Sequence, residues 1–246
     1  MIEALRSVSD TPELDLRLLR EAARDEAQLA EFVARRLKHE PLAYITGTRG
    51  FWTIDLDVTP AVLIPRPDSE ALIEAAMAHF GDIGPGRVLD LGTGSGALLL
   101  AALDQWPDAT GVGVDASASA LDVARGNAKR IASGRAEMRL GNWMDGVDEK
   151  FDLVLCNPPY VETAAELDPQ VRDYEPHSAL FGGADGLDHY RVLASQLPRV
   201  TADIACIEIG YTQASAVTAL LETESFAVAC RQDLGGRDRC LIAQYK

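Results

Sequence analysis

The Asn-Pro-Pro-Tyr tetrapeptide at residues 157–160 has the residue types needed to hold a planar amino group. It follows an apolar run at residues 151–156, which predicts a buried strand with the tetrapeptide at its carboxyl end. Each proline keeps the preceding residue extended, so the Asn157 side-chain oxygen and the Pro158 carbonyl could accept the two hydrogens of an NH2 group. Tyr160 would add an aromatic wall. We predict that the substrate is bound by Asn157, Pro158, Pro159 and Tyr160, and that Asn157, Pro158 and Tyr160 are catalytic.

A glycine-rich segment, called here the glycine turn (residues 92–96), lies between an apolar strand-like run and an apolar helix-like run. Glycines permit positive φ and a close approach of a ligand to the backbone, and a helix amino terminus can offer N–H groups to an anion. Asp115 ends the next strand-like run, where its carboxylate could accept two ribose hydroxyls. The pattern predicts a nucleoside cofactor bound by Gly92, Thr93, Gly94, Ser95, Gly96 and Asp115, together with Asn157.

The identity of the nucleoside rests on the chemistry downstream of the glycine turn. Gly92, Gly94 and Ala97 also fit the dinucleotide fingerprint, so a dinucleotide-dependent oxidoreductase is an alternative. A dehydrogenase needs a polar group that handles hydride, whereas the tetrapeptide at residues 157–160 orients an amine. This combination favours S-adenosylmethionine as the cofactor. The cysteines and histidines lack metal-like spacing, so no metal ion is expected.

Further motifs resemble the protein-glutamine N5-methyltransferases that modify peptide-chain release factors, the HemK/PrmC family. The resemblance extends over about residues 40–246, and its segments are residues 40–47, 51–52, 63–70, 90–96, 115, 157–160, 175–176, 179–180, 185–186, 208–210 and 233–239. It implies methyl transfer to the glutamine of the Gly-Gly-Gln motif in release factors. It also implies that Trp143 lies near the adenine of the cofactor and that the last strand is antiparallel.

The acidic composition bears on the remaining alternatives. Enzymes that methylate exocyclic amines of adenine or guanine share the tetrapeptide, and a ribosomal-protein glutamine is a further possible acceptor. The chain has 38 acidic and 23 basic residues and a formal net charge of −15. Nucleic-acid binding draws on phosphate neutralisation by basic side chains, so nucleic acid is disfavoured as the direct substrate. An acidic surface suits a protein partner, here a release factor.

The sequence predicts a cytoplasmic protein. The amino terminus lacks a secretion signal, and no apolar stretch is long enough to span a bilayer, so we expect no membrane partner. The cysteines lie in strand-like runs without paired or metal-like spacing, which predicts small buried residues in a reducing compartment. These residues are Cys156, Cys206, Cys230 and Cys240.

Periodicity predicts an α/β fold, with helices alternating with strands in a doubly wound sheet. The resemblance implies that the sheet is a seven-stranded Rossmann-like methyltransferase sheet and that a small N-terminal helical domain precedes it. Strands are expected near residues 87–91, 110–115, 136–140, 151–156, 203–209, 225–231 and 239–245. The expected domains are a helical substrate-recognition segment, a β-hairpin connector and the methyltransferase domain, at residues 1–47, 48–66 and 67–246.

More detailed expectations concern the first two segments. The connector should pair the arm that carries Phe51 to Val58 with residues 62–64. Arg66 and Glu70 have the spacing of an i,i+4 surface pair, and Glu208 is expected to be a buried acid without an identifiable partner. Helices near the amino terminus are expected to bury two apolar faces, formed by Leu14, Leu18, Leu19, Ala22 and Ala23 and by Leu29, Phe32, Val33 and Leu37.

Overall fold

Helices make up the amino terminus and flank a central sheet. The computed structural model describes residues 1–245 of the chain. Single-turn 3₁₀ helices cover Pro67–Ser69 and His177–Ala179. The α-helices are α1 (Ile2–Leu5), α2 (Pro12–Ala22), α3 (Glu26–Arg36), α4 (Leu42–Thr46), α5 (Glu70–Phe80), α6 (Ala97–Gln105), α7 (Ala118–Ile131), α8 (Pro169–Tyr174), α9 (Asp188–Val200) and α10 (Ala214–Thr223).

Within residues 1–245 the strands form a two-stranded hairpin and a seven-stranded sheet. They are β1 (Thr48–Phe51), β2 (Ile54–Asp57), β3 (Arg87–Leu91), β4 (Thr110–Asp115), β5 (Ala136–Leu140), β6 (Phe151–Cys156), β7 (Thr201–Glu208), β8 (Phe226–Gln232) and β9 (Asp238–Tyr245). The large sheet has the order β5-β4-β3-β6-β7-β9-β8, and β9 is antiparallel to both of its neighbours. The predicted fold, the seven strands and the antiparallel last strand are confirmed.

Both faces of the large sheet are covered by helices, which is why its central strands are apolar throughout. Along β3, Val88 contacts the cluster that contains α5 and α6, while Leu89 and Leu91 contact the cluster that contains α9 and α10. The strand order reverses between β3 and β6, which are parallel neighbours with Leu91 opposite Cys156. This places the glycine turn and the tetrapeptide side by side at the switch point of the sheet, where such sheets bind ligands.

The amino-terminal helices form a separate apolar cluster with part of the predicted faces. Leu19, Leu29 and similar residues are buried there, but Ala22 is exposed, Leu14 is 41% exposed and Leu37 is 37% exposed, so the prediction was wrong at these three positions. The physical reason in α2 is an ion pair. The Arg36 guanidinium donates to Asp15 Oδ2 at 2.7 Å, and both side chains are buried, which turns Asp15 inward and Leu14 toward solvent.

The connector hairpin is shorter than predicted. Strand β1 pairs with β2 from Thr48 opposite Asp57 to Phe51 opposite Ile54. Residues 62–64 form no strand, which corrects the prediction that they pair with the first arm. They pack instead against Tyr44, whose hydroxyl donates to the Val62 carbonyl at 2.6 Å.

The predicted Arg66–Glu70 pair is also wrong, because each side chain has another partner. Arg66 pairs with Glu175, and Glu70 Oε1 accepts from the Trp52 amide at 2.9 Å, at the tip of the hairpin. These contacts attach the connector to two different parts of the large domain.

Cys156, Cys206 and Cys240 are buried as predicted, but Cys230 is exposed, because it lies on β8 at the edge of the sheet. No helix among residues 1–245 combines the length and apolarity that a membrane span requires.

Candidate active site

A cavity of about 480 Å³ opens at the carboxyl ends of β3, β4 and β6. Its walls include the glycine turn, the loop after β4, the connector and part of the tetrapeptide. The predicted residues that line it are Gly92, Gly94, Asp115, Trp143, Asn157 and Pro159. Its volume lies in the range of small-molecule sites, which is about 300–1,000 Å³.

Most N–H groups of the glycine turn are used within the protein. Gly92 and Thr93 donate to the Val114 carbonyl at 2.9 and 3.0 Å, and Gly96 donates to the Thr93 carbonyl at 2.7 Å. Gly94 donates to Asp115 Oδ2 at 2.9 Å. With φ of 55°, Gly94 faces space that a Cβ atom would enter without contact. The turn therefore offers a ligand an open backbone surface rather than a set of free donors.

Asp115 lies at the end of β4 with its carboxylate on the cavity wall. Its Oδ1 accepts from the Ser117 amide at 2.8 Å, in addition to the bond from Gly94. Each carboxylate oxygen has a second acceptor site, so the side chain is oriented and can still accept hydroxyl groups.

Thr93, Ser95 and Gly96 lie behind this surface. The Thr93 hydroxyl donates to Asp90 Oδ2 at 2.6 Å, and burial raises the pKa of Asp90 to about 7. Thr93 and Ser95 line a smaller chamber of about 60 Å³ that also contacts Asn157. Gly96 lines neither cavity, because its Cα faces Leu100 on α6, where a Cβ atom would clash.

Trp143 forms one wall of the large cavity. Its backbone has φ of 54°, and its ring lies 3.6 Å from the position that a Cβ atom on Gly92 would take. The ring also packs against His189, with centroids 5.3 Å apart. Trp143 therefore presents an aromatic surface next to the glycine turn and the end of β4.

Asn157 lies where the cavities meet. It lines the large cavity, the small chamber and a third cavity of about 180 Å³, which Pro158 and Tyr160 also line. Asn157 Nδ2 donates to Ser69 Oγ at 3.1 Å. Among the hydrogen bonds of residues 1–245, none ends on Asn157 Oδ1 or on the Pro158 carbonyl. The two predicted acceptors are therefore both available to a ligand.

Glu208 has the partner that the sequence did not reveal. Glu208 is 1% exposed, which confirms the expected buried acid, and its partner is Tyr160, whose hydroxyl donates to Glu208 Oε1 at 3.2 Å. Burial of the carboxyl raises the pKa of Glu208 to about 7, although Ser69, Arg239 and Tyr160 oppose the rise. Burial also raises the pKa of Tyr160 well above its ordinary value.

Other functional-site residues were missed by sequence reasoning because their partners are distant in the chain. Glu175 is buried, pairs with Arg66 and accepts from the Ile64 amide at 3.2 Å, which joins the connector to the segment after the tetrapeptide. Asn127 donates to the Ser95 and Asp57 carbonyls, each at 3.0 Å. The signal for Asn127 was a polar residue within an apolar helix face. The signal for Glu175 was the family resemblance at residues 175–176, which did not reveal its partners.

The doubly wound sheet, the glycine turn with its strand-end acid and the Asn-Pro-Pro-Tyr tetrapeptide define an α/β methyltransferase, and comparisons with known proteins agree. The family model of the methyltransferase small domain matches residues 68–172, and the model of the PrmC N-terminal domain matches residues 4–47. Among solved structures, a methyltransferase from Pyrococcus furiosus has a TM-score of 0.60 at 16% identity, covering 87% of this chain and 98% of that chain. That likeness shows the fold.

Curated relatives specify the family. A release factor glutamine methyltransferase from Rhodospirillum rubrum is 45% identical over 227 residues, covering 89% of this chain and 70% of the relative. One from Caulobacter vibrioides is 40% identical over 258 residues, covering 95% of this chain and 89% of the relative. The chain belongs to the release factor glutamine methyltransferase family.

Proposed function

We propose that this enzyme transfers a methyl group from S-adenosylmethionine to the side-chain amide nitrogen of the glutamine in the Gly-Gly-Gln motif of peptide-chain release factors. One observation carries the proposal. Asn157 Oδ1 and the Pro158 carbonyl, two neighbouring acceptors held by a rigid tetrapeptide, are free of protein hydrogen bonds beside a cofactor-sized cavity. The names of the curated relatives support the choice of acceptor.

The residues around the large cavity fit S-adenosylmethionine. Asp115 would accept the ribose hydroxyls, Trp143 would pack on the adenine, and Gly92 and Gly94 would lie against the cofactor backbone. Thr93 and Ser95 would shape the small inner chamber, and Gly96, with φ of 85°, would allow the chain to enter α6 close to the Leu100 side chain. When bound, S-adenosylmethionine supplies a methyl group made electrophilic by its positively charged sulfur.

The glycine turn also argues against the dinucleotide alternative. A pyrophosphate is bound by free N–H groups at a helix amino terminus. Here the amides of Gly92, Thr93, Gly94 and Gly96, which lead into α6, are already used by Val114, Asp115 and the turn itself, and the Leu99 amide in the first turn of α6 donates to Asp90 Oδ2 at 3.3 Å. S-adenosylmethionine has no phosphate, so its binding does not require free N–H donors in the turn.

Catalysis by the tetrapeptide would rest on orientation. An amide nitrogen is a poor nucleophile because its lone pair is delocalised into the carbonyl group. Asn157 and Pro158 would accept its two hydrogens and direct the lone pair toward the cofactor cavity. Positioning of this kind can contribute up to about 7–11 kcal/mol. A general base is not required before transfer, because the methylated amide cation is a far stronger acid than the neutral amide.

Tyr160 would close the substrate side of the site. Its ring lines the cavity next to Asn157, and its hydroxyl is held by Glu208. Pro159 lines the cofactor side, so the tetrapeptide would form a wall between the two cavities. A wall of this kind excludes water from the reacting groups.

The protein substrate would be held by the amino-terminal part. We propose residues 1–47 as the helical recognition segment, residues 48–66 as the connector and residues 67–246 as the methyltransferase domain. The separate apolar cluster of the first helices supports this division, as does the match of a family model to residues 4–47. The formal net charge of −15 favours a protein over a polyphosphate acceptor. Release factors act in translation, so we place the enzyme in the cytoplasm.

The test is methylation of purified release factor followed by mass spectrometry. We expect a gain of about 14 Da, one CH2 group, on the glutamine of the Gly-Gly-Gln motif. A release factor with alanine at that position is the matched control and should gain nothing. Ribosomal protein, rRNA and DNA serve as parallel acceptors. Methylation of any of these with the release factor unmodified would contradict the proposal.

A further inference from the structure

A short chain of polar side chains connects Glu208 to the amide of Asn157. Asn157 Nδ2 donates to Ser69 Oγ at 3.1 Å, and the Ser69 hydroxyl lies beside the Glu208 carboxylate, whose pKa it lowers. Ser69 and Glu208 are only 4% and 1% exposed. Within residues 1–245, Glu208 Oε2 is buried without a hydrogen-bond partner, and the Ser69 hydroxyl accepts from Asn157 but donates to no group, so each is available to the other.

The charge of Glu208 determines the direction in which the hydrogen bonds between Asn157, Ser69 and Glu208 are donated. A carboxylate only accepts hydrogen bonds, so it draws the Ser69 hydroxyl hydrogen toward itself. The Ser69 oxygen must then accept from Asn157, which places Nδ2 toward Ser69 and leaves Oδ1 toward the substrate. If position 208 carried a donor, the Ser69 hydroxyl could rotate and donate to Asn157 Oδ1. The Asn157 side-chain amide could then rotate by about 180° and present its NH2 group to the substrate. Two NH2 groups facing each other repel, so the substrate amide would no longer be held.

We propose that Glu208 is a positioning residue that, through Ser69, holds the Asn157 amide with its oxygen toward the substrate. The inference rests on the proposed function, because it gives the reason why Asn157 presents an acceptor to an amide nitrogen. Glu208 lines the third cavity beside Pro158 and Tyr160, but in this role it acts through Ser69 and not on the substrate itself. It acts by fixing which end of the Asn157 amide faces the reacting groups.

The surroundings of Glu208 make its charge sensitive to pH near neutrality, since burial raises its pKa to about 7. The groups that face it come from every neighbouring element. They are Asp68 and Ser69 before α5, Cys156 on β6, Tyr160 after β6, Tyr190 on α9, and Arg239 and Cys240 on β9. Arg239 is the one cation among them, and Asp68 and Asp233 each lie 3.2 Å from its guanidinium. Its attraction therefore offsets only part of the cost of burying the Glu208 charge.

The kinetic test uses a Gly-Gly-Gln peptide without titratable side chains. For the wild-type enzyme we expect kcat to fall about tenfold from pH 8 to pH 6, as a group with a pKa near 7 gains its proton. Glu208→Gln should show a low kcat at pH 8 and no such decrease, with KM and S-adenosylhomocysteine affinity changed by less than about threefold. Ser69→Ala should also lose the pH dependence. Tyr190→Phe is the matched control. The Tyr190 hydroxyl donates to the Glu208 backbone carbonyl and takes no part in the link between Glu208, Ser69 and Asn157, so the decrease in kcat from pH 8 to pH 6 should persist in this variant.

A spectroscopic test does not depend on activity. In ¹⁵N-labelled protein, the Asn157 side-chain NH2 resonances, assigned by their loss in Asn157→Asp, should titrate near pH 7 in the wild type. They should not titrate in Glu208→Gln. The proposal is overturned if these resonances do not respond, or if Glu208→Gln keeps the wild-type kcat and pH profile. A wild-type enzyme that leaves the glutamine unmethylated while the resonances titrate would overturn the proposed function and support the Glu208 link.

Discussion

The glycine turn and the tetrapeptide occupy equivalent places in the sheet but are held in different ways. Both follow parallel strands, β3 and β6, at a point where Leu91 and Cys156 are opposite each other. The turn is held largely by nearby residues: Thr93 bonds Asp90 three positions before it, and Gly94 bonds Asp115 on the next strand. The tetrapeptide is held by distant ones, since Ser69 is 88 positions from Asn157 and Glu208 is 48 positions from Tyr160.

This difference separates two functions of the site. Short-range contacts shape the surface against which the cofactor would bind. Under the proposed function, long-range contacts would determine which atoms of the tetrapeptide face the acceptor. We therefore expect changes near the glycine turn to act on cofactor affinity, and changes in the partners of the tetrapeptide to act on turnover.

The largest expected effect is at the tetrapeptide. Asn157→Ala should lower kcat by about 10²–10³-fold, comparable to the loss of one oriented group in an active site, with S-adenosylhomocysteine affinity changed by less than about threefold. Single-turnover kinetics and calorimetry measure the two quantities. Asn157→Asp keeps an acceptor but loses the donor to Ser69 and adds a charge, so it should not restore kcat. Near-native turnover in Asn157→Ala would contradict the proposal that Asn157 orients the substrate amide.

A second prediction uses stability to test the buried charge of Glu208. Its pKa is raised in the folded state from 4.5 to about 7, so the stability due to its bound proton is complete below pH 4.5 and is lost as pH rises through 7. Glu208→Gln has no carboxyl group at position 208 and therefore does not lose stability in this way as the pH rises. The free energy of unfolding of the variant relative to wild type should therefore rise by about 3 kcal/mol between pH 4.5 and pH 8. Asp90 also titrates near pH 7 but is common to both proteins. A difference that is independent of pH would contradict this account.

On the cofactor side, Asp115→Ala should weaken S-adenosylhomocysteine by about 1.5–3 kcal/mol, because charge-assisted hydrogen bonds to the ribose are lost. Calorimetry gives the affinity. Asp122→Ala removes an equivalent charge from an exposed position on α7 and serves as the control. Equal affinities for the two variants would place Asp115 outside the cofactor site.

The smallest effect on function is expected at Asn127, the long-range attachment of the glycine turn. Asn127→Ala removes bonds to the Ser95 and Asp57 carbonyls from a fully buried site and should cost about 1–3 kcal/mol of unfolding free energy. If the turn is held locally, the Kd for S-adenosylhomocysteine should change by less than about threefold. A much larger change would show that the turn also depends on distant contacts and would remove the contrast between the two regions.

The sequence determined the sheet and the strand-end motifs. Apolar runs of strand length, separated by helical periodicity, specify parallel strands that are buried on both faces, as in β3, β4 and β6. These strands and the edge strand β5 lie at the predicted bounds. The prolines after β6 and the glycines after β3 restrict or free the backbone locally, so their effects can be read from neighbouring residues alone.

Tertiary structure decided the partners of those motifs and the orientation of the amino-terminal helix faces. Leu14 is exposed because Asp15 turns inward to Arg36 on another helix. Arg66 pairs not with Glu70, as the spacing predicted, but with Glu175, which lies 109 positions away. Periodicity cannot show such pairings, because they depend on which side chains the folded chain brings together. The same is true of Glu208, whose burial and contact with Tyr160 arise only when β6 and β7 lie side by side with Cys156 opposite Ile207.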